Sequence, residues 1–121
     1  MSYFHDYAAI QRKELAPGVS LRAMWGEKVM MSMVEISPNS VVPNHSHPHE
    51  QAGVVVQGEV EMTIGGETKC LRPGDAYVIP GGVEHNLVAN DGWSLVWDIF
   101  SPPREEYKNP EGPVSLLTQG D

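Results

Sequence analysis

The 121-residue chain has one cysteine, Cys70, and only 8 Lys plus Arg against 16 Asp plus Glu. A lone cysteine cannot close an intrachain disulfide, so no disulfide framework holds this fold and a reducing compartment is expected. The shortage of cations leaves a formal charge of −8 at pH 7, which speaks against nucleic acid or an anionic membrane surface as partner. No apolar run reaches the length of a membrane span. The opening segment breaks its apolar positions with His5, Asp6 and Arg12, so no secretory leader is read there. A cytoplasmic protein is the expectation. Helical patterning is also missing, since no stretch beyond about ten residues repeats its apolar positions at helical spacing. The length itself excludes two-domain dehydrogenases, (β/α)8 barrels and long solenoids, leaving one domain over 1–121.

What the chain does have is punctuation. Its 12 glycines and 10 prolines exceed average usage and imply many turns between short elements. Runs rich in Val, Ile, Met and Trp predict strands at about 20–25, 28–36, 40–45, 52–57, 59–64, 67–71, 75–79, 85–89 and 93–100. The clearest is Glu59–Ile64, a strict polar/apolar alternation with one wet and one buried face. Gly65-Gly66 follows it, the dipeptide a two-residue hairpin needs because its central positions take positive φ. With no helices for crossovers, strands this short favour antiparallel closure into an all-β barrel or double-sheet jelly roll. The core is expected at about 20–100. The mixed N-terminal segment and the proline-rich tail after Ser101 are expected to be peripheral.

Four of the five histidines carry the chemistry. His45 and His47 are two apart, so on an extended strand they share a face, and Gln51 has the same parity. Imidazole nitrogens are the commonest ligands for first-row divalent metals, and two on one face make half a site. His85 is a distant third. His49 is read as a residue supporting the ligands from behind or lining the pocket rim, not as a ligand, and His5 as a solvated side chain.

The spacings resemble the two cupin motifs. Asn39, His45, His47, Gln51 and Gly58 match G-x5-H-x-H-x3–4-E-x6-G, and Gly74, Pro80, Gly82 and His85 match G-x5-P-x-G-x2-H-x3-N. The resemblance implies a cupin double-stranded β-helix, a jelly-roll barrel, holding one divalent transition metal (Ni, Zn, Fe or Mn) on His45, His47, Gln51 and His85. There are three departures. Asn39 replaces the first glycine, and Asn enters the left-handed region more readily than most residues. Ala89 replaces the final Asn. Gln51 stands at the glutamate position, with Glu50 beside it as the other candidate for the fourth ligand. A neutral amide leaves the cation its full charge, which makes it a stronger Lewis acid and a better anchor for a carboxylate. That donor set also departs from the His/carboxylate sites of non-haem Fe(II) oxygenases.

The last strand splits into two faces. Trp93, Leu95, Trp97 and Ile99 form an apolar one, read as sheet-to-sheet packing or a subunit interface; Ser94, Val96, Asp98 and Phe100 form the other. A carboxylate beside an aromatic ring is unusual on a core face. Ser101-Pro102-Pro103 makes a stiff bend after which Arg104 can return over the cavity mouth. Asp98-x-Phe100-x3-Arg104 resembles the pectin-degradation cupins of the KdgF type, single-domain proteins that linearise unsaturated uronates. That resemblance implies a small uronate substrate, with Asp98 transferring protons, Arg104 binding the carboxylate and Phe100 shaping the pocket. Two other readings stay open at this point: another metal-dependent cupin enzyme, such as an oxygenase or lyase on a small acid, and a non-catalytic cupin that binds a sugar or small ligand. The apolar face and the sheet edges a jelly roll must cover point to a homodimer.

Overall fold

A computed structural model describes residues 2–114. Ten strands form two antiparallel sheets: β1 (Lys13–Ala16), β2 (Val19–Trp25), β3 (Met30–Ile36), β4 (Val41–His45), β5 (Glu50–Gln57), β6 (Val60–Ile64), β7 (Glu67–Leu71), β8 (Ala76–Ile79), β9 (His85–Ala89) and β10 (Ser94–Ser101). The larger sheet runs β1-β2-β3-β10-β5-β8 and the smaller β4-β9-β6-β7. This is the jelly-roll arrangement of a cupin. The nine strands expected from the sequence pattern are present, their ends shifted by no more than about two residues. Among the described residues no helix is long and apolar enough to cross a membrane.

Period-two patterning builds the core. Along β6, Val60 and Met62 are buried while Glu61 is exposed. Along β10, Ser94, Val96, Asp98 and Phe100 are buried while Trp97, Ile99 and Ser101 are exposed. Val34, Ile36, Val55 and Val96 from one sheet pack with Val60, Met62, Leu71 and Leu87 from the other in a single cluster. Each such side chain contributes roughly 1.5–3 kcal/mol on leaving water. Gly65 and Gly66 turn the β6–β7 hairpin at φ 55° and 87°, where a β-carbon would strain the backbone. Asn39 takes φ 62° at the motif's first glycine position, so the amide side chain does substitute for glycine there.

The outward row of β10 corrects one reading. Trp93 is 61 % exposed, Trp97 43 % and Ile99 45 %, so among the described residues this face packs against no second sheet. β10 lies inside the larger sheet and turns its other face to the core.

The strand that patterning did not mark is β1. Its signal is broken because Lys13, a charged residue, is buried along with Leu15 and Ala16. The ammonium donates to the Asn109 carbonyl at 2.7 Å and to the Gly112 carbonyl at 2.9 Å. Lys13 thus pins the C-terminal segment, whose Tyr107 and Val114 join the core cluster. Lys13→Met removes the donor from two carbonyls, and the melting temperature should fall by roughly 5–10 °C. An unchanged melting curve counts against this anchor.

Candidate metal centre

The antiparallel register sets the histidines. His45, at the end of β4, pairs directly with His85 at the start of β9. His47 lies in the connection leading to β5, and Gln51 on β5 sits beside it. All are buried: His45 is 6 % exposed, His47 7 %, His85 4 % and Gln51 6 %. Glu50 is exposed, as the alternation along β5 requires. One ligand atom from each of His45, His47 and His85 lies within 4.8 Å of the others.

Backbone carbonyls fix the protons on these rings. His45 Nδ1 lies 2.7 Å from the Pro43 carbonyl, His47 Nδ1 3.1 Å from that of His49, and His85 Nδ1 2.9 Å from that of Val83. A carbonyl can only accept, so each Nδ1 carries the hydrogen and each Nε2 presents a lone pair. Burial, above all, holds the imidazoles neutral: His45 is pushed down to about 3, His47 to about 4, and His85 also down.

Two of these lone pairs then meet no donor among the described residues. His85 Nε2 is buried without a hydrogen bond. His47 Nε2 faces Gln51 Oε1 at 3.0 Å, one acceptor against another once Nδ1 holds the proton. Such an arrangement is unfavourable on its own and is resolved by a divalent cation among the donors. The residues fit a metal, and the Nδ1 bonds supply the outer support that ligating histidines require. His49 is half-buried and supports the centre through its carbonyl, which takes the His47 Nδ1 hydrogen; His5 is exposed.

The second constellation lines the same cavity. Asp98, Phe100 and Arg104 border it together with His45, His85 and Gln51. The Phe100 ring lies 5.7 Å from that of His47 and beneath the Arg104 guanidinium at 5.3 Å. Arg104, 2 % exposed, also stacks on Tyr107 at 4.2 Å. It donates to the Tyr107 hydroxyl at 2.7 Å and pairs with Glu106. Burial raises the Asp98 carboxyl to about 6, against the opposing pull of hydrogen bonds from Tyr77 and Gln51 and of the Arg104 charge. The Tyr77 hydroxyl donates to Asp98 Oδ1 at 2.5 Å.

Sequence reasoning missed Tyr77 and Tyr107. Parity placed Tyr77 on a face of β8, but nothing local says that β8 lies beside β5 and two strands from β10. Arg104 and Tyr107 are brought over the cavity by the turn at Glu105–Lys108, which a four-residue polar segment does not announce.

Residues 32–97 match the cupin domain family. The pectin degradation protein KdgF of Dickeya dadantii (strain 3937) is 31 % identical over 97 residues, spanning 78 % of this chain and 88 % of that protein. The solved structure of KdgF from Halomonas sp. is 34 % identical, with a TM-score of 0.78 over 87 % of this chain and 96 % of the other. An RmlC-like cupin from Shewanella frigidimarina NCIMB 400 superposes with a TM-score of 0.82 at 24 % identity, covering 88 % and 96 % of the two chains, and shares the fold alone. Two antiparallel sheets closed over three converging imidazoles carry the matched segment, and the chain belongs to the cupin family, with KdgF among its relatives.

Proposed function

We propose that the protein opens 4,5-unsaturated uronates, the sugar acids released by pectin or alginate lyases, from the ring to the linear keto form. One observation carries this reading: a buried carboxylate, Asp98, borders the same cavity as the neutral imidazoles of His45 and His85 and a buried guanidinium, Arg104. An acid–base group thus faces a cation site and an anion fork across a single small space, as an acidic sugar undergoing proton transfer requires. The 31 % identity to a pectin degradation protein supports it further.

His45, His47 and His85, with Gln51 as fourth ligand, would hold one divalent transition metal. When bound, that ion supplies Lewis acidity toward the substrate's oxygens. The Gln51 amide suits its place because it can offer oxygen to a cation and N–H to Asp98, its hydrogen-bond partner, whereas a glutamate there would repel that carboxylate. Asp98 takes the proton of the anomeric hydroxyl as the carbonyl forms and the ring C–O bond breaks, leaving an enolate. The same carboxyl then returns the proton to C4, so the isomerisation consumes no other reactant. Arg104 binds the sugar carboxylate through its planar fork and stabilises the enolate charge. Phe100 packs against the sugar and excludes water. The overall charge of −8 governs long-range encounter, while this local cluster of cations governs binding.

The free space at the heart of the cavity is about 50 Å³, room for a few waters. Glu106 occupies the guanidinium now, so the substrate carboxylate enters by displacing it. Arg104→Ala should raise the Michaelis constant for the uronate at least about 10-fold, the loss of a charge-assisted hydrogen bond, with metal content unchanged. Equal Michaelis constants would remove Arg104 from substrate binding.

The deciding experiment incubates metal-loaded protein with unsaturated galacturonate or mannuronate and follows the ring alkene by NMR. Its decay should outpace the spontaneous rate and return to that rate on chelation. If loaded and chelated protein both leave the spontaneous rate unaltered, the proposal fails. The homodimer belongs to the same proposal: exposed Trp93, Trp97 and Ile99 would form its interface, and Trp97→Lys should reduce the sedimenting mass to that of one chain. A wild-type chain that already sediments alone rejects it.

A further inference from the structure

One row of residues runs straight across the larger sheet. Ser32 on β3 lies opposite Asp98 on β10, Asp98 opposite Gly53 on β5, and Gly53 opposite Tyr77 on β8. Residues in register across an antiparallel sheet point to the same face, and Ser32, Asp98 and Tyr77 all border the cavity. Adjacent strands lie about 4.8 Å apart, so Tyr77 starts roughly 10 Å from Asp98 along the row. Any side chain at position 53 would stand between them. A β-carbon built on Gly53 would collide with Asp98 Oδ1 and with the Tyr77 ring. The glycine is therefore a gap, and the phenol lies across it to reach the carboxylate at 2.5 Å.

The hydroxyl is the informative atom. A phenylalanine would fill the same apolar volume, but a phenol buried among core side chains needs a polar partner. It spends its one proton on Asp98. Burial first, and then the neighbouring carboxylate, push the Tyr77 phenol well above its ordinary value, so it remains a donor throughout the working range. On the other flank of Asp98, Ser32 is fully buried, and its Oγ has no hydrogen-bond partner. The side chain that orients Asp98 along the row is Tyr77.

We propose that Tyr77 is the positioning residue of Asp98, reaching through the gap at Gly53 to hold the carboxylate in one orientation toward the cavity. This rests on the reading of Asp98 as the proton-transfer group. Proton transfer needs the carboxylate within hydrogen-bond reach of two substrate atoms in turn, and a misplacement of about 1 Å can cost on the order of 10²-fold.

The test is Tyr77→Phe in the metal-loaded, full-length protein. Turnover number on the unsaturated uronate should drop roughly 10- to 100-fold, with the Michaelis constant within about twofold of wild type and the metal content equal. An unchanged turnover number overturns the proposal, and so does a loss that comes with lost metal or a matching rise in Michaelis constant. Thermal melting supplies a readout that needs no reaction. Tyr77→Phe and Asp98→Ala should be non-additive, because removing either partner already removes the bond. Additive shifts overturn the pairing. If wild-type protein turns over no uronate, the proposed function falls by itself, and the melting cycle alone decides for or against Tyr77 as the group that holds Asp98.

Discussion

Asp98→Asn should lower uronate turnover by roughly 10²–10⁴-fold, the usual contribution of a positioned acid–base group, while fold and metal content stay as in wild type. The amide is isosteric, and its oxygen can still accept the 2.5 Å hydrogen bond from Tyr77. What it cannot do is take a proton. Burial raises Asp98 to about 6, so the active carboxylate form is lost as the pH falls, and a bound cation shifts that limb lower still. The acid limb of the kcat/KM profile should therefore lie at or below about pH 6. Stability moves the opposite way. A carboxyl whose folded value lies above its unfolded one is best tolerated below the unfolded value, and that stability is lost as pH rises through about 6. Metal-free Asp98→Asn should then melt no lower than wild type at pH 7. Wild-type turnover in this variant would remove Asp98 from the chemistry.

His85→Ala should abolish stoichiometric metal binding and return uronate conversion to the spontaneous rate. Loss of an outer-shell partner alone costs about 10–100-fold in metal affinity, and loss of a ligand costs more. His85 is the suitable test because its Nε2 is buried without a hydrogen bond and faces the other two imidazoles. Metal analysis after dialysis provides the check, and full occupancy in the variant would remove His85 from the ligand set. The metal-free protein should also be acid-labile. His45 is held down to about 3 and His47 to about 4, with His85 also lowered. The unfolded chain protonates its histidines near 6.5 while the folded chain keeps these three neutral. Their contribution is complete above about 6.5 and is lost as the pH falls toward 3–4. Asp98 offsets part of this between 6 and 3.8, one group against three. Chelated protein should thus melt at a lower temperature at pH 5 than at pH 7, and a level profile would contradict a neutral triad.

Much of this architecture is legible in one dimension. Alternation in Glu59–Ile64 marks β6 because a strand with one wet face must repeat every second residue, and Gly65-Gly66 marks its turn because φ must be positive there. β1 escaped for a converse reason. Its buried lysine is satisfied by carbonyls about a hundred residues away, and a periodicity test sees only an exposed-looking charge. The spacing to Gly58 spoke for Gln51 over Glu50 as the proposed fourth ligand, and burial agrees with it, because Gln51 borders the cavity beside His47 while Glu50 is exposed.

The sequence by itself determined the all-β class, the common face of His45 and His47 and the parity that puts Asp98 and Phe100 on one face of β10, while His85 joined them only through the resemblance to the cupin motifs. These depend on local geometry: the two-residue repeat of a strand and the turn residues that end it. Tertiary structure alone decided which strands are neighbours. That placed Tyr77 across Gly53 from Asp98, laid Arg104 between Phe100 and Tyr107, and left the Trp97 row facing outward. Register between distant strands is a property of the closed sheets, set by burying both inner faces at once, and no segment read alone carries it.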